Sequence, residues 1–160
     1  MNENLRWLQV SLFMLALLCF ALPFVDGAKS VPDGYGYFPL ARGQLDNAQW
    51  AKTFTGFQLM ADKDAEEPMI AGVACIAIGI LLSFIPGQWL APYSALAGIM
   101  ALVSAYWGME PWRACENLAR TQVGSPVILF EYRSGFFLYS LLVITAVVIS
   151  TRNSIRVGRF

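Results

Sequence analysis

Charged residues are absent from four stretches of the chain, Trp7 to Val25, Pro68 to Ile85, Gln88 to Trp107 and Gly135 to Thr151. They are gathered into the segments between. A membrane crossing takes about 20 apolar residues, with about 17 as the lower limit, and the fourth run lies near that limit. In hydrocarbon the backbone must satisfy its own hydrogen bonds, so all four runs are predicted as helices. The expected fold is that of an integral membrane protein, mainly α. It is a single four-helix domain over 1–160, with spans at 7–25, 68–85, 88–107 and 135–151. The outer loops are 26–67 and 108–134.

The first run has some marks of a secretory signal: Arg6, an apolar core and a loose Val25-Asp26-Gly27 cleavage-like site. Its apolar stretch is longer than a signal core, which predicts a retained helix. A lipoprotein reading of Cys19 fails because Leu18 stands where a small residue is needed. The second and third runs are joined by Pro86-Gly87, two helix breakers, and read as a tight hairpin. The two long loops therefore share one compartment. Arg6 flanks the first run, and Arg152, Arg156 and Arg159 follow the fourth, while the loops hold every acidic residue except Glu3. This basic density at the helix ends predicts that both termini are cytoplasmic. Trp7, Trp89 and Trp107 fall at span ends, as interfacial aromatics do.

Within the loops, Lys52 to Met60 is rich in β-branched and aromatic residues, and Thr53, Thr55, Phe57 and Leu59 alternate with Phe54, Gly56, Gln58 and Met60. This predicts a strand, with Gly56 at a bulge or a close backbone approach. Glu110-Pro111-Trp112 reads as the start of a short helix, on which Glu116 and Arg120 pair; Gly124 and Pro126 end it. Val127 to Tyr132 reads as a second strand leading into the fourth helix. Two isolated strands are marginal in water, so one small extracytoplasmic sheet is expected to combine both loops.

Composition narrows the chemistry. The chain is 57% hydrophobic and only 14% charged, against about a quarter charged in a soluble domain. Eleven basic residues balance eleven acidic ones, which leaves no electrostatic footprint for nucleic acid. Histidine is absent, which removes the commonest general base and most haem, zinc and copper ligation. Cys19, Cys75 and Cys115 form no Cys-x-x-Cys pair; Cys19 and Cys75 fall at similar depth and read first as small buried apolar residues. The run Asp62-Lys63-Asp64-Ala65-Glu66-Glu67 lacks the glycine and spacing of a calcium loop, and reads as a solvated helix start. No Asp, Glu, Lys or Arg lies inside a span, where pumps and coupled transporters place such groups. No nucleophile–base pair, cofactor motif or metal-ligand set is expected.

What the spans offer instead is small residues. Ala71, Cys75 and Gly79 repeat every four positions on the second, and Ala97, Ala101 and Ala105 on the third, beside Gly98. Such rows serve either packing of the hairpin on itself or docking of a partner. The outer loops add Tyr35, Tyr37, Phe38, Trp50 and Trp112, a residue class that dominates binding energy at interfaces.

Two segments carry a family resemblance: Phe54-Thr55-Gly56-Phe57-Gln58-Leu59 before the second helix, and Glu131-Tyr132-Arg133-Ser134-Gly135-Phe136-Phe137 entering the fourth. They are similar to F-[ST]-G-x-x-L-like and E-x-x-x-G-F-[FW]-like segments of an uncharacterised family of small bacterial four-helix membrane proteins. The resemblance covers the layout of most of the chain. It implies a bacterial plasma (inner) membrane protein and no known activity. The layout also resembles the claudin plan of four helices and one shared outer sheet, without the paired cysteines or W…GLW signature, so that likeness is one of architecture.

The expected function is that of a non-enzymatic accessory or scaffold subunit of a larger membrane complex. Its partners would be other membrane subunits, lipids or further copies of itself. The alternatives are a lipid- or quinone-binding enzyme or redox partner, using a cleft lined by Arg113, Arg120 or Arg133, and a self-assembling claudin-like structural protein.

Overall fold

The computed structural model of the chain describes residues 3–27, 52–63, 65–85, 90–110, 113 and 130–157. Four long helices, α1 (Glu3–Leu18), α3 (Glu66–Phe84), α4 (Ala91–Gly108) and α5 (Ser134–Val157), form the body. A 3-10 turn, Cys19–Ala21, extends α1, and a short helix, α2 (Gly56–Met60), precedes α3. Three strands, β1 (Pro23–Gly27), β2 (Lys52–Thr55) and β3 (Phe130–Tyr132), make one sheet.

Each uncharged run contains a helix, but the first ends early. The expected span to Val25 stops at Ala21, because Pro23 lacks the amide a helix needs there, and Pro23 to Gly27 become the middle strand of the sheet. Three stretches are long and apolar enough to cross a membrane: Glu3–Ala21, Glu66–Phe84 and Ser134–Asn153. The expected third span is present as α4 but is not among them. Pro92, Tyr93, Ser94, Ser104, Tyr106 and Trp107 dilute its apolar content.

The helices run alternately up and down, with α1 and α4 at opposite corners. Neighbours meet end to start: Trp7 of α1 makes an edge contact with Phe84 of α3 at 5.7 Å, and Phe20 with Tyr139 of α5 at 5.4 Å. The bundle therefore has one end made by the start of α1 and one made by the sheet. The core contains Phe13, Ala16, Phe20, Met69, Ile76, Ala101, Ala105, Tyr139, Val143 and Ala146, all fully buried. Phe13 packs against glycines of two other helices: a Cβ on Gly79 would come within 3.1 Å of its ring, and one on Gly98 within 3.5 Å. The ring occupies the room that Gly79 leaves, while at Gly98 the side chain of Val147 comes closer than the ring does.

The sheet has the order β2-β1-β3, and both pairings are antiparallel. Both loops thus contribute to one sheet, as expected, through an intervening strand. The predicted strand over Lys52–Met60 is only half strand. From Gly56 onward it is helix, because Thr55 and Gln58 cap each other: the Gln58 amide donates to Thr55 Oγ1 at 3.2 Å and the Thr55 amide to Gln58 Oε1 at 2.9 Å. The bulge lies on β1, between Pro23 and Val25. Gly56 marks a close backbone approach, since a Cβ there would sit 2.6 Å from Cδ1 and 2.9 Å from Cα of Phe20.

Candidate functional site

The sheet end of the bundle is built from side chains that the strands and helix starts hold at fixed heights. Phe24, on β1, points down among Phe20 (5.0 Å), Tyr139 (5.6 Å) and Phe136 (6.0 Å). Tyr132, on β3, stacks on Phe136 at 4.6 Å. An aromatic layer thus separates the sheet from the helical core. Tyr139 also reaches the core through its hydroxyl, which donates to the carbonyl of Ala101 at 2.9 Å, so its buried polar atom is satisfied.

Above this layer, Asp26 and Arg133 join the middle strand to the start of α5. Arg133 Nε donates to Asp26 Oδ2 at 2.6 Å, its Nη2 contacts the same oxygen, and its backbone amide donates to the carbonyl of Phe24 at 2.9 Å. The register sets Asp26 opposite Thr53 on one side and Glu131 on the other. The guanidinium holds the Asp26 carboxyl below the usual carboxylate range, against the opposing effect of burial, so the pair is ionised at neutral pH.

Arg113 pairs with Glu110 at 2.9 Å and stands 4.6 Å over the ring of Tyr106. Its amide donates to the carbonyl of Met109 at 3.4 Å, as a helical turn requires. Of the three arginines considered for an anionic ligand, Arg113 and Arg133 thus each face a carboxylate. Arg120 lies outside the described residues, as do Glu116 and the rest of the expected short helix apart from Glu110 and Arg113.

The opposite end holds a polar cluster that reading for charge alone passes over. Gln9 Nε2 donates to Ser94 Oγ at 2.6 Å, Ser83 Oγ donates to the carbonyl of Gly79 at 2.7 Å, and the two serine hydroxyls are 3.2 Å apart. Ser150 donates to the carbonyl of Ala91 at 2.5 Å. All four side chains are buried, and together they tie α1, α3, α4 and α5. Asn153, also buried, leaves its Nδ2 without a partner among the described residues. Uncharged polar residues inside otherwise apolar runs were the signal for this cluster.

The candidate contact residues separate into three groups. Gly79, Ala97 and Ala101 are buried within the bundle, where α3 and α4 approach closely: a Cβ on Gly72 would stand 3.5 Å from the carbonyl oxygen of Ala101. Ala71 faces outward, beside Ile70 and Ala74. A four-residue spacing overshoots a helical turn by about 40° each step. The row Ala71, Cys75, Gly79 therefore winds from exposed through half-buried to buried. Tyr35, Tyr37, Phe38, Trp50 and Trp112 lie outside the described residues. Cys19 is buried, Cys75 half-buried, and both are free thiols. No group of three or more potential metal ligands occurs among the described residues.

Comparison of the chain with models of protein families, with curated proteins and with solved structures finds no match in any of the three.

Proposed function

We propose that this protein is a non-enzymatic accessory or scaffold subunit of a larger complex in a bacterial plasma membrane, and that it acts through contact surfaces. One observation carries the reading. The buried side chains of Gln9, Ser83, Ser94, Ser150 and Tyr139 are spent on one another or on backbone carbonyls, with Asn153 Nδ2 the exception among the described residues of the helical body. Such bonds fix helix positions and leave little capacity for substrate chemistry. The reading is also supported by the pairing of Arg113 and Arg133 with carboxylates, which weakens the case for a bound anionic lipid or quinone at those positions.

In this reading α4 is a fourth crossing. It lies antiparallel to α3 along its whole length, from Ser83–Ser94 at one end to Gly108–Met69 at the other. A helix matched end for end to a spanning helix must traverse the same thickness. Both termini are then on one side, and the basic residues after α5 favour the cytoplasmic one.

Two experiments test this. In a background with the native cysteines replaced by Ala, a membrane-impermeant thiol reagent applied from outside should label Lys63→Cys and spare Arg152→Cys. Both positions are exposed, whereas the neighbouring Asn153 is buried. Labelling of position 152 from outside reverses the topology. For function, the chain purified in mild detergent should carry other subunits in fixed ratio. Trp50→Ala or Trp112→Ala should release them without lowering the stability of the bundle. Turnover of a substrate by the purified chain alone, abolished by one Ser, Thr or Lys to Ala change that leaves the fold intact, would overturn the proposal.

A further inference from the structure

We infer that α2 is a membrane-interface anchor, its Phe57 side chain inserted among the acyl chains of the leaflet on the sheet side. Three independent features place it there.

The first is depth. α2 does not stand in the aqueous layer with the strands. Its first residue, Gly56, packs directly on the backbone and ring of Phe20, and the Phe57 ring lies 6.1 Å from that of Phe20. Phe20 belongs to Glu3–Ala21, one of the stretches apolar enough to cross a membrane. A helix seated against the last turn of a span shares that turn's depth. The same turn also bears a lipid-facing side chain, Leu18, which is 65% exposed on the far side of the helix from Phe20.

The second is orientation. Leu59 is fully buried while Phe57 is 53% exposed, so the helix turns one large apolar side chain inward and the other outward. No charged residue occurs between Thr53 and Ala61; the charges resume at Asp62, Lys63, Asp64, Glu66 and Glu67. That order, apolar at one level and ionised immediately beyond, matches an acyl-to-headgroup boundary.

The third is hydrogen bonding. A helix start ordinarily relies on water for its first amides, which the acyl region does not supply. Here the reciprocal Thr55–Gln58 cap occupies the Thr55 and Gln58 amides and engages the only polar side chain of the helix. At the other end the Ala61 and Asp62 amides donate to the carbonyls of Gln58 and Leu59 at 3.2 Å each. The cap thus lowers the number of amides at this helix start that depend on water.

The test uses the wild-type chain reconstituted alone in vesicles of phosphatidylethanolamine and phosphatidylglycerol. One sample is photolabelled with a lipid-soluble carbene precursor and a second with a water-soluble one; labelled residues are located by mass spectrometry. Leu81 and Ile144, exposed on α3 and α5, report the acyl region, and Lys63 reports water. The lipid-soluble reagent should label Phe57 as strongly as Leu81, and the water-soluble reagent should spare it. Labelling of Phe57 by the water-soluble reagent overturns the inference. So does protection from both reagents, which would mean that protein, from this chain or a second copy, covers the side chain.

Discussion

A Phe13→Ala variant should lose about 3 kcal/mol of folding stability, the lower end of the range for emptying a phenylalanine site. The low end is expected because lipid is as apolar as the core, so little transfer energy separates folded from dissociated helices in a bilayer. What remains is the loss of packing. The Phe13 ring is fully buried, fills the space left by Gly79 on α3 and touches the Gly98 position on α4, which Val147 approaches more closely. Gly79 has no side chain that can swing into the void, so on the α3 side the cavity cannot collapse without moving a backbone. The measurement is reversible unfolding in mixed micelles, with Met14→Ala as the control on the same helix. Met14 is 49% exposed, and its truncation should change stability little. Equal losses for the two variants would refute the ring's role as the keystone between α3 and α4.

Gly135→Val should be comparably harmful, at about 3 kcal/mol, but by crowding rather than by emptying. A Cβ at Gly135 would land on the carbonyl oxygen of Pro23 and within 2.8 Å of Cβ of Leu22. Both obstacles belong to the backbone or to its first side-chain atom, so no distal rotamer change relieves them. The strand β1 must lift away from α5, which also breaks the Arg133 amide bond to Phe24. The expected signature is selective: helical circular dichroism is retained, while protease cuts the segment around Pro23 to Gly27 faster. Ser134→Val, one residue earlier and exposed, is the control. Unchanged proteolysis in the Gly135 variant would show that the strand does not depend on this contact.

The helices were legible because a span is defined by what it lacks, and about 17 consecutive residues without charge rarely occur outside a membrane. The same criterion misplaced the end of the first helix. Phe24 and Val25 are apolar because they face the aromatic layer beneath a sheet, and hydropathy does not distinguish that burial from burial in lipid. The start of α2 was present in the sequence as Thr55-Gly56-Phe57-Gln58, a capping-box pattern. Its alternating side chains also fit a strand, and the local cap prevailed over the alternation. The small-residue rows marked close helix approach correctly on α4, but spacing alone did not say whether the approach was within the chain. The uncharged cluster of Gln9, Ser83 and Ser94 was hidden for a related reason: three scattered polar residues become a site only when the fold brings α1, α3 and α4 together.

The strand order has a consequence for how the protein is made. The middle strand, β1, emerges directly after the first helix, yet one of its edges pairs with Phe130–Tyr132, and its Asp26 waits for Arg133. During synthesis that edge remains open, with its amides and carbonyls unpaired, until three further helical segments have been translated. Pairings so distant along the chain are slow to close. An open edge in the meantime is where another strand can bind wrongly. The last helix therefore acts as a fastener: its arrival delivers the third strand, the arginine and the glycine seat of β1 together. Nascent chains stalled before residue 130 should accordingly be the ones that need a chaperone on the sheet side of the membrane.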